Sequence, residues 1–382
     1  MTTDTNTDNE SREIGIGIIG AGYMGKTHSV AMQAVASVFD TALRPRCEMI
    51  CTTTPDGAKE AARKFGFNRY TADWTELVTD ERVDAIVIAS PQFLHREIAV
   101  KAFELRKPVL CEKPLGASLD DSRAMVEAAK QSGVVNMVGF NYGKAPATQY
   151  VKKLLESGEI GDVTWFRGEH TEDFLHDPAW PATWRTTGKA TGTMGDLAPH
   201  MISCAMNLMG PIERLSADIE TVHHERPTAS GGTQAITNDD HAHFTCRFSS
   251  GVMGHLYFSR IATGRKMGYA YEIMGTKGGI RFDQEDQNAI WLYRATGDNA
   301  SRGYTKILTG PDHPDYVQFC LGPGHGTGYQ DTVIIEARDF LEAIAGHRDA
   351  WPPFTHGMEV NQVIEAAHDS ASKQAWVAVA DY

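Results

Sequence analysis

The sequence predicts an α/β doubly wound parallel sheet followed by an α+β domain with a large, mostly antiparallel open sheet. Three observations carry that expectation. A β-branched run, Ile14 to Ile19, leads into Gly20-Ala-Gly22-Tyr-Met-Gly25 and then a helix-forming segment, Lys26 to Phe39. From there to residue 140, short apolar runs alternate with helical segments, the pattern of a parallel sheet covered on both faces. Beyond residue 213, strand-like segments follow one another without intervening helices, which fits an antiparallel sheet. The expected organisation is a disordered tail at 1–12, a first domain at 13–141 and a second at 142–382, with the C-terminal helix packing back towards the first.

A chain of 382 residues suits two domains, each large enough for its own core. The net charge of −13 disfavours nonspecific binding to nucleic acid or to an anionic membrane. No apolar run reaches the ~18 residues of a membrane span. The N-terminal stretch MTTDTNTDNESRE is polar and acidic and lacks the regions of a signal peptide, so a cytoplasmic location is expected. Six cysteines are scattered without a C-x-x-C and read as small apolar residues in a reduced compartment.

Strand, G-x-G-x-x-G, then helix is the setting in which this glycine pattern means dinucleotide binding. Gly20 allows the tight turn, Gly22 lets the backbone approach the pyrophosphate, and Gly25 lets the helix pack on the strand. The helix N-terminus, with Tyr23 and Met24, turns N–H groups to the phosphates. A second strand is expected at Arg46–Thr52 and a helix at Asp56–Phe65, opened by Pro55. A carboxylate at that strand's tip would bind a ribose 2′-hydroxyl and favour NAD. Here the tip is Thr52-Thr53-Thr54, with Asp56 beyond it and Lys59 and Arg63 on the helix, so NAD and NADP both stay open.

A helix over Thr71–Leu77 and a turn at 81–84 precede an apolar strand, Ala85–Ala89, ended by Ser90-Pro91-Gln92. Then come a helix at Leu94–Leu105, a strand at Val109–Glu112, a helix at Asp120–Gln131 and a strand at Val134–Phe140. In such sheets ligands sit beyond the carboxyl ends of the strands. Gly20–Gly25, Thr52–Thr54, Ser90–Gln92, Glu112–Pro114 and Asn141-Tyr142 all fall there.

The second domain reads as a helix at Thr148–Ser157, a strand at Val163–Glu169 and a long loop over 170–193, then a helix at Leu197–Leu208. Strands follow at Arg214–Val222, His241–Phe248, Val252–Arg260, Tyr269–Gly275, Ile280–Asp283 and Ala289–Tyr293. Residues 296–327 read as loop, and helices are expected at Asp331–Ala345 and Met358–Ala378.

Lys113 stands between a glutamate and a proline at a strand end on the nicotinamide side. An ammonium there can donate to a substrate hydroxyl and a ribose, and favours the alkoxide character that develops as hydride leaves. The plainer alternative is a surface lysine paired with Glu112. Asp196 and His200 are spaced i, i+4, which on one helix puts their Cβ atoms about 5–6 Å apart. His200 can accept a proton near neutral pH, and Asp196 can orient it or bind substrate. Asp196 is equally a sensible N-cap, with Pro199 allowed in the first turn.

Trp180, Trp184 and Arg185 can wall a sugar pocket, because flat rings suit the C–H face of a pyranose, or can pack as ordinary loop residues. His95 can line the cofactor cleft, and His325, in the glycine-rich stretch 322–329, can reach the pocket. His223-His224, and His241 with His243 after Asp239-Asp240, resemble metal ligands. No third and fourth partners stand at useful spacing, so no metal is expected.

Together these stretches resemble the Gfo/Idh/MocA oxidoreductases, which act mostly on sugars and cyclitols with NAD or NADP. The resemblance covers almost the whole chain after the tail. Its carriers are GAGYMG at 20–25, SPQFLH at 90–95, CEKPL at 111–115, VGFN at 138–141 and GDLAPH at 195–200. It implies that Lys113, Asp196 and His200 are the catalytic set. It implies cofactor contacts at Gly20, Gly22, Tyr23, Met24, Gly25, Thr52, Thr53, Ser90, Pro91, Gln92, His95, Glu112, Lys113 and Asn141. Substrate contacts fall to Lys113, Tyr142, Trp184, Arg185, Asp196, His200 and His325. The segments HTEDFLHDP at 170–178, TWR at 183–185 and GPGHGTGY at 322–329 look most like the branch containing levoglucosan and inositol dehydrogenases. Three positions depart from the family's pattern: the threonine tip at 52–54, Ser203 where an Asp is common, and Gly143 where a basic residue is common.

The expected function is an NAD(P)-dependent dehydrogenase oxidising a secondary alcohol of a sugar, anhydrosugar, glycoside or cyclitol. Two alternatives remain: a glycoside-cleaving or epimerising enzyme with tightly held NAD, and a non-catalytic NAD(P)-binding sensor. The free face of the second sheet makes a homodimer or homotetramer the expected assembly.

Overall fold

A computed structural model describes residues 12–382, so residues 1–11 of the expected tail lie outside the described residues. No helix among the described residues is long and apolar enough to cross a membrane. The chain divides into two compact units. One comprises the described residues up to 112 with 128–137 and 333–351, and the other comprises 113–127, 138–332 and 352–382.

In order, the chain first forms β1 (Arg12–Ile19), α1 (Tyr23–Val38), β2 (Leu43–Cys51), α2 (Pro55–Phe65), β3 (Arg69–Thr71) and α3 (Trp74–Thr79). It continues through β4 (Ala85–Ile88), α4 (His95–Glu104), β5 (Val109–Glu112), α5 (Leu119–Ser132) and β6 (Asn136–Gly139). The strands make one sheet in the order β3-β2-β1-β4-β5-β6, with parallel pairing from β3 through β5. The doubly wound order reverses direction at β1, which puts the first strand and its glycine loop at the switch point.

Burial explains the strand sequences. Ile16, Ile18 and every residue of β4 are fully buried, as continuous apolar strands of a parallel sheet must be. One expectation is corrected here: the stretch read as a helix from Thr71 is the end of β3 followed by α3. The helix cannot start earlier, because Asp73 occupies its N-cap and accepts from Thr75 N at 2.8 Å.

The second unit contains α6 (Pro146–Glu156), β7 (Val163–Thr171), α7 (Thr193–Asp196), α8 (Ala198–Met209), β8 (Ile212–Glu220), β9 (Glu225–Pro227) and β10 (Thr233–Ala235). These are followed by β11 (His241–Phe248), β12 (Met253–Ser259), β13 (Gly268–Gly275), β14 (Gly278–Asp283), β15 (Ala289–Arg294), β16 (Thr305–Leu308) and α9 (Tyr316–Phe319). Next comes α10 (Tyr329–Ile344), which runs from the second unit into the first, and then α11 (Phe354–Lys373) and β17 (Val377–Ala378). Nine strands form a sheet in the order β16-β15-β14-β13-β7-β12-β11-β8-β17, antiparallel except where β12 pairs with β7. Burial alternates along β11, β12 and β13, so one face is covered; α6, α8 and α11 pack against the sheet.

Three further expectations change. The helix expected at Leu197–Leu208 is α8, and a separate short helix, α7, precedes it, so Asp196 and His200 lie on two helices that meet at Leu197. Pro199 has no N–H to give the carbonyl of Gly195, so the first helix stops and a second begins. The last helix stops at Lys373, where Gln374 takes a left-handed conformation, and Val377–Ala378 join the sheet beside β8. The loop-rich span 296–327 contains β16 and α9, and the chain between β8 and β11 carries the small β9–β10 hairpin.

Buried charge holds the long loop of the second unit. Asp240 and Arg260, both essentially inaccessible, pair at 2.9 Å. The other Asp240 oxygen accepts from the N–H groups of Val222 and His223, each at 2.9 Å. Arg260 donates onward to Asn238 Oδ1 and to the carbonyls of Arg185 and Thr191. The guanidinium therefore ties the 185–191 segment to the ends of β11 and β12. Replacing it with methionine, Arg260→Met, leaves Asp240 charged, buried and without its countercharge. Chemical denaturation is expected to show about 3–5 kcal/mol of lost stability; a loss below about 1 kcal/mol would remove Arg260 from this role.

Candidate active site

The glycine loop belongs to the first unit. Gly20 has φ +105°, and a Cβ there would stand 2.3 Å from the carbonyl oxygen of Ala89. A Cβ on Gly25 would stand 2.0 Å from the carbonyl oxygen of Gly20, so α1 can close on β1 only with glycine at 25. Above Gly22 there is open space to 4 Å. Gly22 caps α1 without a side-chain hydrogen bond, and no acidic residue occupies the helix's first turn. A helix end of this kind, open and free of negative charge, fits a pyrophosphate.

The other sheet ends are shaped by local bonds. At the β2 tip the Thr52 hydroxyl donates to the Thr54 carbonyl at 3.0 Å, and the Thr54 hydroxyl accepts from Gly57 N at 3.2 Å, capping α2. Thr53 between them is exposed. After β4, Ser90 Oγ is buried without a hydrogen-bond partner. The His95 ring, buried rather than open, lies 3.0 Å from the Ser90 carbonyl oxygen and fixes the turn that carries Pro91 and Gln92. Glu112, at the end of β5, pairs with His28 of α1 at 2.7 Å, both side chains buried.

Lys113 is the next residue and belongs to the second unit, where its ammonium lies against Asp196. Nζ donates to the Asp196 carboxylate at 3.0 Å and to the Asp196 carbonyl at 2.9 Å. The expected N-cap role of Asp196 is thereby corrected. The N-cap of α8 is Leu197, with no side-chain bond, because the Asp196 carboxylate is held by Lys113. Arg185 adds a second cation, its Nη1 4.0 Å from the other carboxylate oxygen. Burial opposes ionisation of Asp196, but the charges of Lys113 and Arg185 outweigh it and hold the carboxyl below its ordinary range.

His200 sits one turn on, in α8. Burial, with the neighbouring charge of Lys113 and of His170, pushes its pKa well below 6.5, so the ring is neutral at physiological pH. Its Nδ1 is buried and has no hydrogen-bond partner. The ring packs edge-on against Tyr142, centroids 4.7 Å apart, and against Phe140 at 6.0 Å. Tyr142 in turn stacks on Tyr269 at 4.9 Å and meets Tyr329 at 5.8 Å. Asn141 is buried and donates to Thr332 Oγ1 at 2.9 Å.

His170, at the end of β7, is a neighbour the sequence reading passed over. Its Nδ1 lies 2.8 Å from the carbonyl oxygen of Leu197, the joint between α7 and α8, and its Nε2 lies 3.2 Å from Glu172. The signal for it was the period-two spacing Phe166, Gly168, His170 along a half-buried strand. Tyr269 sits opposite it on β13. Asp239, grouped above with possible metal ligands, instead accepts from Met194 N at 2.7 Å and anchors the start of α7. Ser203 bonds His356 at 2.8 Å. Of the remaining expected residues, the Trp184 side chain lies outside the described residues. The exposed ring of His325 lies beside Cys320, and no described bond joins it to Lys113, Asp196 or His200.

Lys113→Met leaves Asp196 without its nearest countercharge. A depressed carboxyl pKa contributes stability above its unfolded value, and that stability is lost as pH falls through the folded value. The variant is therefore expected to be less stable than wild type by about 1–3 kcal/mol at pH 7. The gap should narrow as pH falls below the ordinary Asp value of 3.8. A gap that is constant with pH in denaturation curves would show that the ammonium does not stabilise this carboxylate.

Two family models match the chain. One, described as an oxidoreductase family with an NAD-binding Rossmann fold, covers residues 14–140; the other, a GFO/IDH/MocA C-terminal domain, covers 148–281. Levoglucosan dehydrogenase of Pseudarthrobacter phenanthrenivorans is 37% identical over 96% of this chain and 98% of its own. The scyllo-inositol 2-dehydrogenase (NAD(+)) of Bacillus subtilis is 28% identical over 86% of this chain and 85% of its own. Among solved structures, levoglucosan dehydrogenase in complex with NADH and levoglucosan superposes with a TM-score of 0.93 at 37% identity, covering 96% of this chain and all of that one. An NAD-binding oxidoreductase from Klebsiella pneumoniae gives 0.92 at 34%, covering 96% of this chain and 99% of that one. With a dinucleotide-binding sheet, a Lys–Asp–His cluster on the following unit, and these matches along nearly all its length, the chain belongs to the Gfo/Idh/MocA oxidoreductase family.

Proposed function

We propose that the protein is an NAD-dependent dehydrogenase that oxidises a secondary alcohol of levoglucosan or a closely related sugar. The observation that carries the reading is a neutral His200 beside an ammonium fixed twice to Asp196. The relatives named above support the substrate class.

A bound nicotinamide supplies the two-electron acceptor for the hydride. The chain's own residues handle the proton. A substrate hydroxyl donates to the unprotonated ring nitrogen of the neutral His200, which takes its proton as the C–H bond breaks. Lys113 donates to the same oxygen and stabilises its growing negative charge. Asp196 keeps Lys113 aimed by taking two of its hydrogen bonds. Arg185 and Tyr142 bound the space around the hydroxyl. The imidazole is a weak base, which suits a site where a nearby ammonium already lowers the hold of oxygen on its proton.

The β2 tip favours NAD over NADP. A 2′-phosphate carries nearly two negative charges and needs cations, whereas the tip offers hydroxyls and the first turn of α2 holds Asp56. Initial rates with levoglucosan, other anhydrosugars, hexoses and inositols are to be read from absorbance of the reduced cofactor, with NAD and NADP in separate arms. The expected result is turnover of levoglucosan or a near relative, with kcat/KM for NAD above that for NADP by about tenfold or more, ~1.4 kcal/mol. No turnover with any polyol, or stoichiometric cofactor that never exchanges, would contradict the reading.

We also infer that copies of the chain associate through the uncovered face of the nine-stranded sheet. That face carries half-buried Tyr257 and Trp291 among charged rungs such as Arg281–Glu272 at 2.6 Å. Light scattering is expected to give two or four times the 41.9 kDa chain mass; a monomer at micromolar concentration would contradict it.

A further inference from the structure

Five of the six cysteines are buried, and the sixth, Cys320, is partly open to solvent. Burial pushes the thiols of Cys51, Cys204 and Cys246 up to about 12 and that of Cys47 to about 11, leaving them inert as nucleophiles. Cys320 has different surroundings. Its Sγ lies 3.1 Å from Nδ1 of His325, whose ring is exposed. The N–H of Gly322 points at the same sulfur, 3.4 Å away.

The pairing is built into the loop. A Cβ on Gly322 would stand 2.7 Å from His325 Cε1, so only glycine at 322 lets the ring lie where it does. Tyr316, fully buried, donates to the Gly322 carbonyl at 2.8 Å and accepts from Gly326 N at 2.9 Å, holding the loop on both sides of the histidine. Asn288 Oδ1 fixes the far end by accepting from Thr327 N at 2.7 Å. A nucleophile and a base within hydrogen-bond reach, on a loop whose backbone is held on both sides of that base, are the parts of an activated thiol. None of them takes part in the Lys113–Asp196–His200 cluster.

We propose that Cys320, activated by His325, is a site of oxidation by hydroperoxides. The thiol proton passes to Nδ1 of His325 as the sulfur attacks the hydroxyl oxygen of R–O–O–H. An S–O bond forms and the O–O bond breaks. The departing alkoxide takes the proton from the imidazolium, so that Cys–SH and ROOH become Cys–SOH and ROH. The sulfur gives up two electrons and the peroxide gains them. The N–H of Gly322 stabilises negative charge on the sulfur during the attack.

The test is carried out on the intact folded protein, with hydrogen peroxide as oxidant and dimedone as the trap for sulfenic acid, and is read by peptide mass mapping. The expected result is label on Cys320 at least about tenfold above any other cysteine, lost in Cys320→Ser. His325→Asn is expected to slow labelling by about tenfold or more, the low end of what a positioned base contributes. Gly322→Ala displaces the ring without removing it and is expected to slow labelling in the same direction, so either variant decides the matter if the other fails to fold. Label spread evenly over the cysteines, or wild-type rates in a folded variant of either kind, would overturn the proposal.

Discussion

Lys113 holding Asp196 twice is the contact on which the site depends. Its ammonium takes both the carboxylate and the main-chain carbonyl of one residue, at 3.0 and 2.9 Å. That carbonyl is the one a continuous helix would direct at His200 N. The chain instead changes helix at Leu197, and the carboxylate, the imidazole and the ammonium end up in one cluster. The pair also sets the charges. Asp196 stays ionised because Lys113 and Arg185 face it, and His200 stays neutral because burial and the same ammonium disfavour a second positive charge. One cation lowers the pKa of both groups, which leaves the carboxylate charged and the imidazole neutral.

The sheet of the second unit exists, in this view, to make that geometry repeatable. Asp239 anchors the first turn of α7, the Asp240–Arg260 pair anchors the loop before it, and His170 reaches from β7 to the joint after it. Each anchor is buried and bonded, so the short helix bearing Asp196 has little freedom. The cost of burying charge in Asp240 and Arg260 is offset by their hydrogen bonds to Val222 N, His223 N, Asn238 Oδ1 and the carbonyls of Arg185 and Thr191.

The parts legible in the sequence were those with local signatures. The glycine loop reads correctly because Gly20 and Gly25 answer constraints set within a few residues or at the adjacent strand end. The half-buried strands β11 to β13 alternate as the sequence does. Elements of three or four residues, such as β3, β9 and β10, are too short for a period to register. The break at Leu197 has a local mark in Pro199, but the hold on the Asp196 carbonyl has none, because Lys113 is far away in the sequence. Asp239 and Asp240 looked like ligands for the same reason: their partners, Met194 N and Arg260, are brought to them only by the fold. His170 was readable in principle from its strand, but its role at the joint follows from a hydrogen bond no spacing reveals.

Single-turnover reduction of NAD by a levoglucosan-type substrate deuterated at the reacting carbon, in wild type and in His200→Gln, tests the central claim most directly. The account predicts deuterium on the reduced cofactor and a slower hydride step with the labelled substrate. In His200→Gln it predicts that step to be about a hundredfold slower or more, with unchanged cofactor affinity. Deuterium transfer at the wild-type rate in His200→Gln would contradict it.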